Sequence, residues 1–244
     1  MAGAPESDAS RIARLREMVA RYEIKMSAVG HLRKLEDFEV VLLCDDSGSM
    51  NSESVPRPPA AAATRWTELK EAASIVVDLA GALDEDGIDV YFLNRPPMLK
   101  VKTAAAVRAN FEEDADGSTP LCRVFNQIMA AKSAILGEKR LLILIATDGE
   151  PDEGIPAFVS LLKSHHKMVH IGILACTDDD DAIGYLQGVD EGDDQIDVVD
   201  DYLTERAGIL KKKGKACADL YTHGDHIVKV LLGAVNPMYD GLDE

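Results

Sequence analysis

The chain has 244 residues, 46% of them hydrophobic, which is enough for a full core and suits one α/β domain better than two. Acids outnumber bases 43 to 26, and the formal charge of −17 repels a nucleic-acid backbone unless bases cluster; the dense run Lys211 to Lys213 has the character of a solvated last helical turn. No run approaches the roughly 18 apolar residues of a membrane helix, and the start MAGAPESDAS lacks a charged segment followed by an apolar one, so a cytoplasmic protein with no nucleic-acid or membrane partner is expected.

From Ser10 to Leu35, the apolar residues Ile12, Leu15, Val19, Tyr22, Met26 and Val29 recur at steps of three and four, which predicts a helix with Ser7 or Asp8 as its cap. It precedes the first strand, so residues 1–37 are an N-terminal helical extension, packed on the domain by preference and otherwise a dimer contact. Glu39 to Cys44 is a continuous apolar run, the pattern of a central parallel strand covered on both faces. Ile88 to Leu93, Leu141 to Ala146 and Val169 to Ala175 repeat it, and the helical stretches Thr67 to Leu83, Leu121 to Leu136 and Ile155 to His165 alternate with them. Such alternation predicts an α/β, Rossmann-like open wound sheet, mostly parallel, with helices on both faces.

Leu99 to Thr103 follows Arg95-Pro96-Pro97 too closely for a crossover helix, so it is expected as one antiparallel edge strand beside Ile88 to Leu93. Ile196 to Val199 is a candidate sixth strand, and Asp225 to Val235 reads as a closing helix with Asp225 as its cap. Ser52 to Arg65, rich in proline and alanine, is expected as a long loop over the strand ends. The acidic stretches Asp178 to Asp181 and Glu191 to Asp194 read as solvated loops, because neither has the ligand spacing of a calcium loop. Residues 236–244 form an acidic tail.

Several side chains have plain structural readings. Cys44, Cys122, Cys176 and Cys217 lack metal spacing and read as free thiols, with Cys44 at a buried strand end rather than a redox sensor. His165 and His166 fit the surface end of a helix, and His223 and His226 fit a helix start around Asp225 rather than a metal trio. Trp66 is expected to staple its helix to the sheet.

The stretch CDDSGSM, residues 44–50, ends a buried strand with carboxylates and hydroxyls, at the rim where open parallel sheets bind ligands. Asp45, Ser47 and Ser49 alternate around a turn that Gly48 permits, and their hard oxygens suit magnesium or manganese, with calcium also admitted, rather than zinc or copper. Two more fragments end at the same rim. ATDGEP places Asp148 just past a strand, and GSTPL places Thr119 just before a helix with Pro120 at its first position.

Asp45-x-Ser47-x-Ser49, Thr119 and Asp148, in that order, resemble the metal-ion-dependent adhesion site of the von Willebrand factor A domain family, over residues 38–235. The resemblance implies that Ser47 and Ser49 bind Mg2+ or Mn2+ directly, Thr119 directly or through water, and Asp45 and Asp148 through ordered waters. It further implies that the ion's open position takes an Asp or Glu carboxylate of a partner protein. Asp46 adds a negative charge the pattern does not require, and Glu150 is expected to face solvent. The resulting expectation is a cation-dependent protein-interaction module and not an enzyme. The alternatives are a magnesium-dependent phosphoester hydrolase, disfavoured because Ser47 stands where haloacid-dehalogenase-type phosphatases carry a second acid, and a subunit of a larger ATPase-type assembly.

Overall fold

The computed structural model describes residues 7–54, 63–84, 86–177, 179, 183–186 and 188–240. The middle of the expected proline-rich loop, at 55–62, lies outside the described residues, as do Asp178, Asp180, Asp181 and the last residues of the tail. The strands are β1 (Phe38–Cys44), β2 (Ile88–Phe92), β3 (Met98–Val101), β4 (Arg140–Thr147), β5 (Val169–Ala175) and β6 (Ile196–Val199). The helices are α1 (Asp8–Arg21), α2 (Ala28–Leu32), α3 (Arg65–Leu83), α4 (Ala104–Arg108), α5 (Leu121–Lys132), α6 (Ile155–Lys163), α7 (Tyr202–Lys213), α8 (Lys215–Asp219), α9 (His223–Leu232) and α10 (Pro237–Asp240).

The six strands among the described residues form one sheet in the order β3-β2-β1-β4-β5-β6, parallel except for the antiparallel edge strand β3. Alternation along each central strand builds two cores. Val40, Leu42 and Cys44 of β1, with Leu142, Leu144 and Ala146 of β4, pack against α1, α3 and α9. Val41, Leu43, Leu141, Ile143 and Ile145 point to the opposite layer, where Phe125 of α5 and Phe158 of α6 meet them. Both faces are thus covered, which is why these strands are unbroken apolar runs. Gly172 lets α9 lie close to the sheet, since a Cβ there would stand 2.9 Å from Leu144 Cδ2 and 3.0 Å from the Val230 carbonyl oxygen.

The order also fixes where a crevice opens. After β1 the chain moves to β2 on one side, and β4 later joins β1 on the other, so the carboxyl ends of β1 and β4 flank the point where the winding reverses.

The N-terminal segment differs from the single helix expected. It breaks into α1, α2 and a 3₁₀ turn, Arg33–Asp37, because the backbone and side chains between α1 and α2 are engaged elsewhere. Tyr22 Oη donates to Asp78 Oδ2 of α3 at 2.5 Å, Lys25 N donates to Asp225 Oδ1 of α9 at 3.0 Å, and Glu23 adopts a positive φ of 55°. Met26, placed on the apolar stripe by periodicity, is 56% exposed as a result. Ser7 is the cap of α1, accepting from Ser10 N at 3.2 Å, and Leu15 and Val19 pack on α3 wholly buried, each contributing about 1.5–3 kcal/mol.

Some smaller expectations need correction. The cap of α9 is Thr222, with Asp225 at the third position completing a reciprocal capping box. Pro120 caps α5 instead of opening it, and α5 ends at Lys132. Trp66 is buried in the core that α3 shares with the sheet, as expected, and its ring packs on Phe111 at a centroid distance of 4.2 Å, which in turn meets Phe92 of β2. His165 is no free surface histidine, for its Nε2 lies 2.9 Å from Asp193 Oδ2, which takes Asp193 out of the expected solvated loop.

The seam between the N-terminal segment and α9 is tight. A Cβ at Gly224 would stand 2.1 Å from the Tyr22 carbonyl oxygen and 2.6 Å from Ile24 Cγ1. Gly224→Ala is therefore expected to destabilise the fold by about 1–3 kcal/mol in urea denaturation, and an unmoved midpoint would show the seam to be loose.

Candidate metal centre

The site begins where β1 and β4 end together. Asp45 N donates to Ala146 O at 2.9 Å, extending the ladder one residue past β1, so the Asp45 side chain is fixed at the sheet rim and wholly buried. Its oxygens are both engaged: Oδ2 accepts from Thr147 Oγ1 at 2.6 Å and Oδ1 from Ser47 N at 2.9 Å. That second bond turns the chain into the 3₁₀ turn Gly48–Asn51, which brings the Ser47 and Ser49 hydroxyl oxygens to 3.0 Å from each other. Ser49 Oγ donates to Asp148 Oδ1 at 2.8 Å, so the proton shared between the two serines is that of Ser47. Asp148 Oδ2 accepts from Arg65 Nη1 at 2.8 Å.

The third loop is held by backbone and amide bonds. Gly48 N donates to Gly117 O at 3.1 Å and Asp116 N to Asp46 O at 2.9 Å. Asp46 itself is turned away from the serines: Oδ1 accepts from Asn94 N at 2.8 Å and Asn94 Nδ2 at 3.1 Å, and Oδ2 lies 3.3 Å from Arg95 Nε. The charge that looked surplus is thus a clamp, because Asn94 Nδ2 also donates to Ser118 O at 2.8 Å. Gly117 is required in this clamp, with a φ of +113° and a would-be Cβ 2.4 Å from Asn94 Cγ.

Thr119 reaches the rim through its backbone. Its N donates to Asp152 Oδ1 at 3.1 Å, and its O accepts from Asp152 N at 3.0 Å. Next to it, the Glu153 carboxylate caps the α5 N-terminus, accepting from Arg123 N at 2.9 Å and Cys122 N at 3.3 Å. Asp45, Ser47, Ser49 and Asp148 thus share one network of hydrogen bonds, and among the described residues the Thr119 hydroxyl makes no hydrogen bond to it. Glu150 faces solvent.

The spacing of the oxygens decides which hard dication the site would fit. Adjacent ligands of an octahedral ion with bonds of about 2.1 Å are about 3.0 Å apart, whereas calcium bonds of about 2.3–2.6 Å need about 3.3–3.7 Å. The serine oxygens stand at 3.0 Å, which fits the smaller ions. Ser49 uses its proton on Asp148 and one lone pair on the Ser47 hydroxyl, which leaves its second lone pair for a cation. The electrostatics point the same way: burial pushes the Asp45 carboxyl above its ordinary range, the Ser47 and Thr147 bonds oppose that, and the Asp148 charge adds to it. A buried acid held there is short of positive charge.

Other clusters are of a different kind. Among the described residues no group of three or more His, Cys, Asp and Glu is placed to hold a metal ion. His223 and His226 stack on each other at 6.1 Å, while Asp225 turns back to Thr222 and Lys25. Burial, with the charges of Asp46 and Asp45 added, pushes the Cys44 thiol well above its ordinary range and keeps it protonated.

Thr147 and Arg65 belong to the site although no motif names them. Thr147 had a local signal, being a hydroxyl residue beside Asp148 at the strand end; Arg65 had none, for it lies 83 residues from its partner. No protein-family model matches the chain, and no curated protein sequence matches it.

Asparagine at position 45 keeps an acceptor for Ser47 N and offers Thr147 a donor without a buried charge. Asp45→Asn is expected to stabilise the cation-free protein by about 0.5–2 kcal/mol at neutral pH, read from urea denaturation in chelator. A destabilised variant would mean that the Asp45 charge is already compensated in the fold.

Proposed function

We propose that this chain is a divalent-cation-dependent protein-interaction module. Ser47, Ser49 and Thr119 would hold Mg2+ or Mn2+, with Asp45 and Asp148 behind them. When bound, the ion supplies a Lewis-acidic position for an Asp or Glu carboxylate of a partner protein. The observation that carries the proposal is the serine pair, 3.0 Å apart at the winding reversal of the sheet and tied to Asp148 by the Ser49 proton.

Each residue has a task of its own. Asp45 fixes the turn by accepting the Ser47 amide, so the two hydroxyls are arranged before any ion arrives. Thr147 holds Asp45 from the β4 side, and the Thr119 backbone, bonded to the Asp152 carboxylate and to the Asp152 amide, holds the third loop at the rim. A phosphoester hydrolase would need an accessible nucleophile, and Asp45 is wholly buried with both oxygens engaged, which argues for binding rather than catalysis. Among the described residues no helix is long and apolar enough to cross a membrane. The four cysteines are free thiols, which supports a reducing, cytoplasmic setting for the module.

Saturating Mg2+ or Mn2+ is expected to raise the melting temperature by roughly 5 °C, as about 2.7 kcal/mol of linkage at a hundredfold excess over Kd implies for a chain of this size. The Ser47→Ala, Ser49→Ala double variant should melt near the wild-type temperature in chelator and lose the shift; a shift that persists would remove the ion from this site. A carboxylate-bearing partner retained from native lysate with Mg2+ should elute with chelator, and the double variant should not retain it. Retention indifferent to chelator would contradict a cation-mediated contact.

A further inference from the structure

The buried Asp148 carboxylate already has a cation. Arg65 Nη1 lies 2.8 Å from Asp148 Oδ2, and the arginine side chain is only 17% exposed while that of Asp148 is fully covered. We propose that Arg65 is the resident cation of the site: it competes with the divalent ion for Asp148, sets the site's affinity, and is displaced when the ion binds. The proposal rests on the metal-binding reading above.

Charge balance drives the exchange. The buried pair Asp45 and Asp148 carries two negative charges, and Arg65 neutralises one of them. A dication in its place neutralises both, whereas a dication added beside an unmoved guanidinium would leave buried positive charge in excess and set two cations against each other at short range. The two cations are therefore anticoupled, and the coupling is reciprocal: whatever factor the ion takes from the Arg65 contact, Arg65 takes from the ion.

The structure supplies a place for the arginine to go. A cavity of about 40 Å³ beside Arg65 is lined by Glu68 and Asp201, with Tyr202 and His226 among its walls. Glu68 and Asp201 set negative charge along it, and Asp201 keeps that charge while its oxygens cap α7 through Leu203 N and Thr204 N, so the cavity is electrostatically suited to a guanidinium.

It also supplies a route by which the exchange is felt. Arg65 opens α3, and its backbone N donates to Ser52 O at 3.0 Å, three residues on from Ser49. Ser54 N donates to Ala63 O at 2.8 Å and Glu53 bridges Thr64, so the two ends of the 52–65 loop are joined beside the serine turn. Trp66, the sole tryptophan, comes next in the chain; it is buried against Phe111 and its indole N donates to Glu113 O at 3.0 Å. Movement of Arg65 thus has a built-in reporter.

Titrating the full chain with MgCl2, by calorimetry and by tryptophan emission, tests the proposal in wild type, Arg65→Gln, Arg65→Lys and the Ser47→Ala, Ser49→Ala double variant. Arg65→Gln is expected to bind Mg2+ at least about fivefold more tightly than wild type, with Arg65→Lys between them. Emission should change with Mg2+ in wild type at the calorimetric midpoint and change less in Arg65→Gln, and the double variant should bind nothing. Equal or weaker binding by Arg65→Gln and Arg65→Lys, with the serine variant still inert, overturns the competition while leaving the metal site standing. No Mg2+ binding by any variant overturns the metal site, and the competition with it. Should Arg65→Gln fail to fold, the affinity of Arg65→Lys decides.

Discussion

The arrangement depends on one buried carboxylate held from two strands. Asp45 takes the hydroxyl of Thr147 from the end of β4 and the amide of Ser47 from the turn after β1. Without the first bond, a carboxylate wholly shut off from water would lose half of its compensation, and such groups are costly to leave unmatched. Without the second, the turn that sets the serine oxygens at 3.0 Å would have no anchor. The same contacts join the ends of the two central strands, so strand pairing and site geometry share one fastening. The arrangement of the candidate ligands is therefore inherited from the stiffest part of the fold rather than from the loops alone.

The loops around it are fastened by groups that are not ligand candidates. Asp46, Asn94, Arg95 and Asp152 spend their side chains on the backbone or on each other, and Glu153 holds the start of α5. Asn51 adds two bonds of its own to Ala115, at 2.6 and 3.2 Å. This division of labour leaves Ser47, Ser49 and the Thr119 hydroxyl uncommitted or committed only to one another and to Asp148. A metal site needs that separation, because an oxygen that must also hold the chain together has fewer lone pairs to offer.

Legibility followed the range of the interactions. Strands buried on both faces were readable from apolar runs alone, and the edge strand from the short proline-containing link that precedes it. The candidate residues were readable because each sits within a few positions of a strand end or helix start, as Asp45, Asp148 and Thr119 do. The break after α1 was not, since it is imposed by Asp78 and Asp225, far along the chain, and the helical period continues through it. Arg65 escaped for the same reason: nothing near it in sequence marks it as the partner of Asp148. The role of Asp46 was not legible either, because its partners Asn94 and Arg95 lie 48 and 49 residues away in sequence.

Charge around the rim bears on how the proposed module would discriminate. The loops that build the site also carry the exposed acids Glu112, Glu113, Asp114 and Asp116 on one side and Glu150, Asp152 and Glu153 on the other, on a chain whose formal charge is −17. An acidic guest approaching the bare rim meets repulsion at every distance shorter than the screening length of about 8–10 Å. A dication seated among the hydroxyls reverses the sign only locally, at the point where a carboxylate would dock. Attraction then exists for a single acid delivered in the correct position, while an acid-rich surface still meets the surrounding negative field. For the proposed module the acidic composition would act as a selectivity device: it would make the contact conditional on the ion and favour a partner that presents its carboxylate from neutral or basic surroundings.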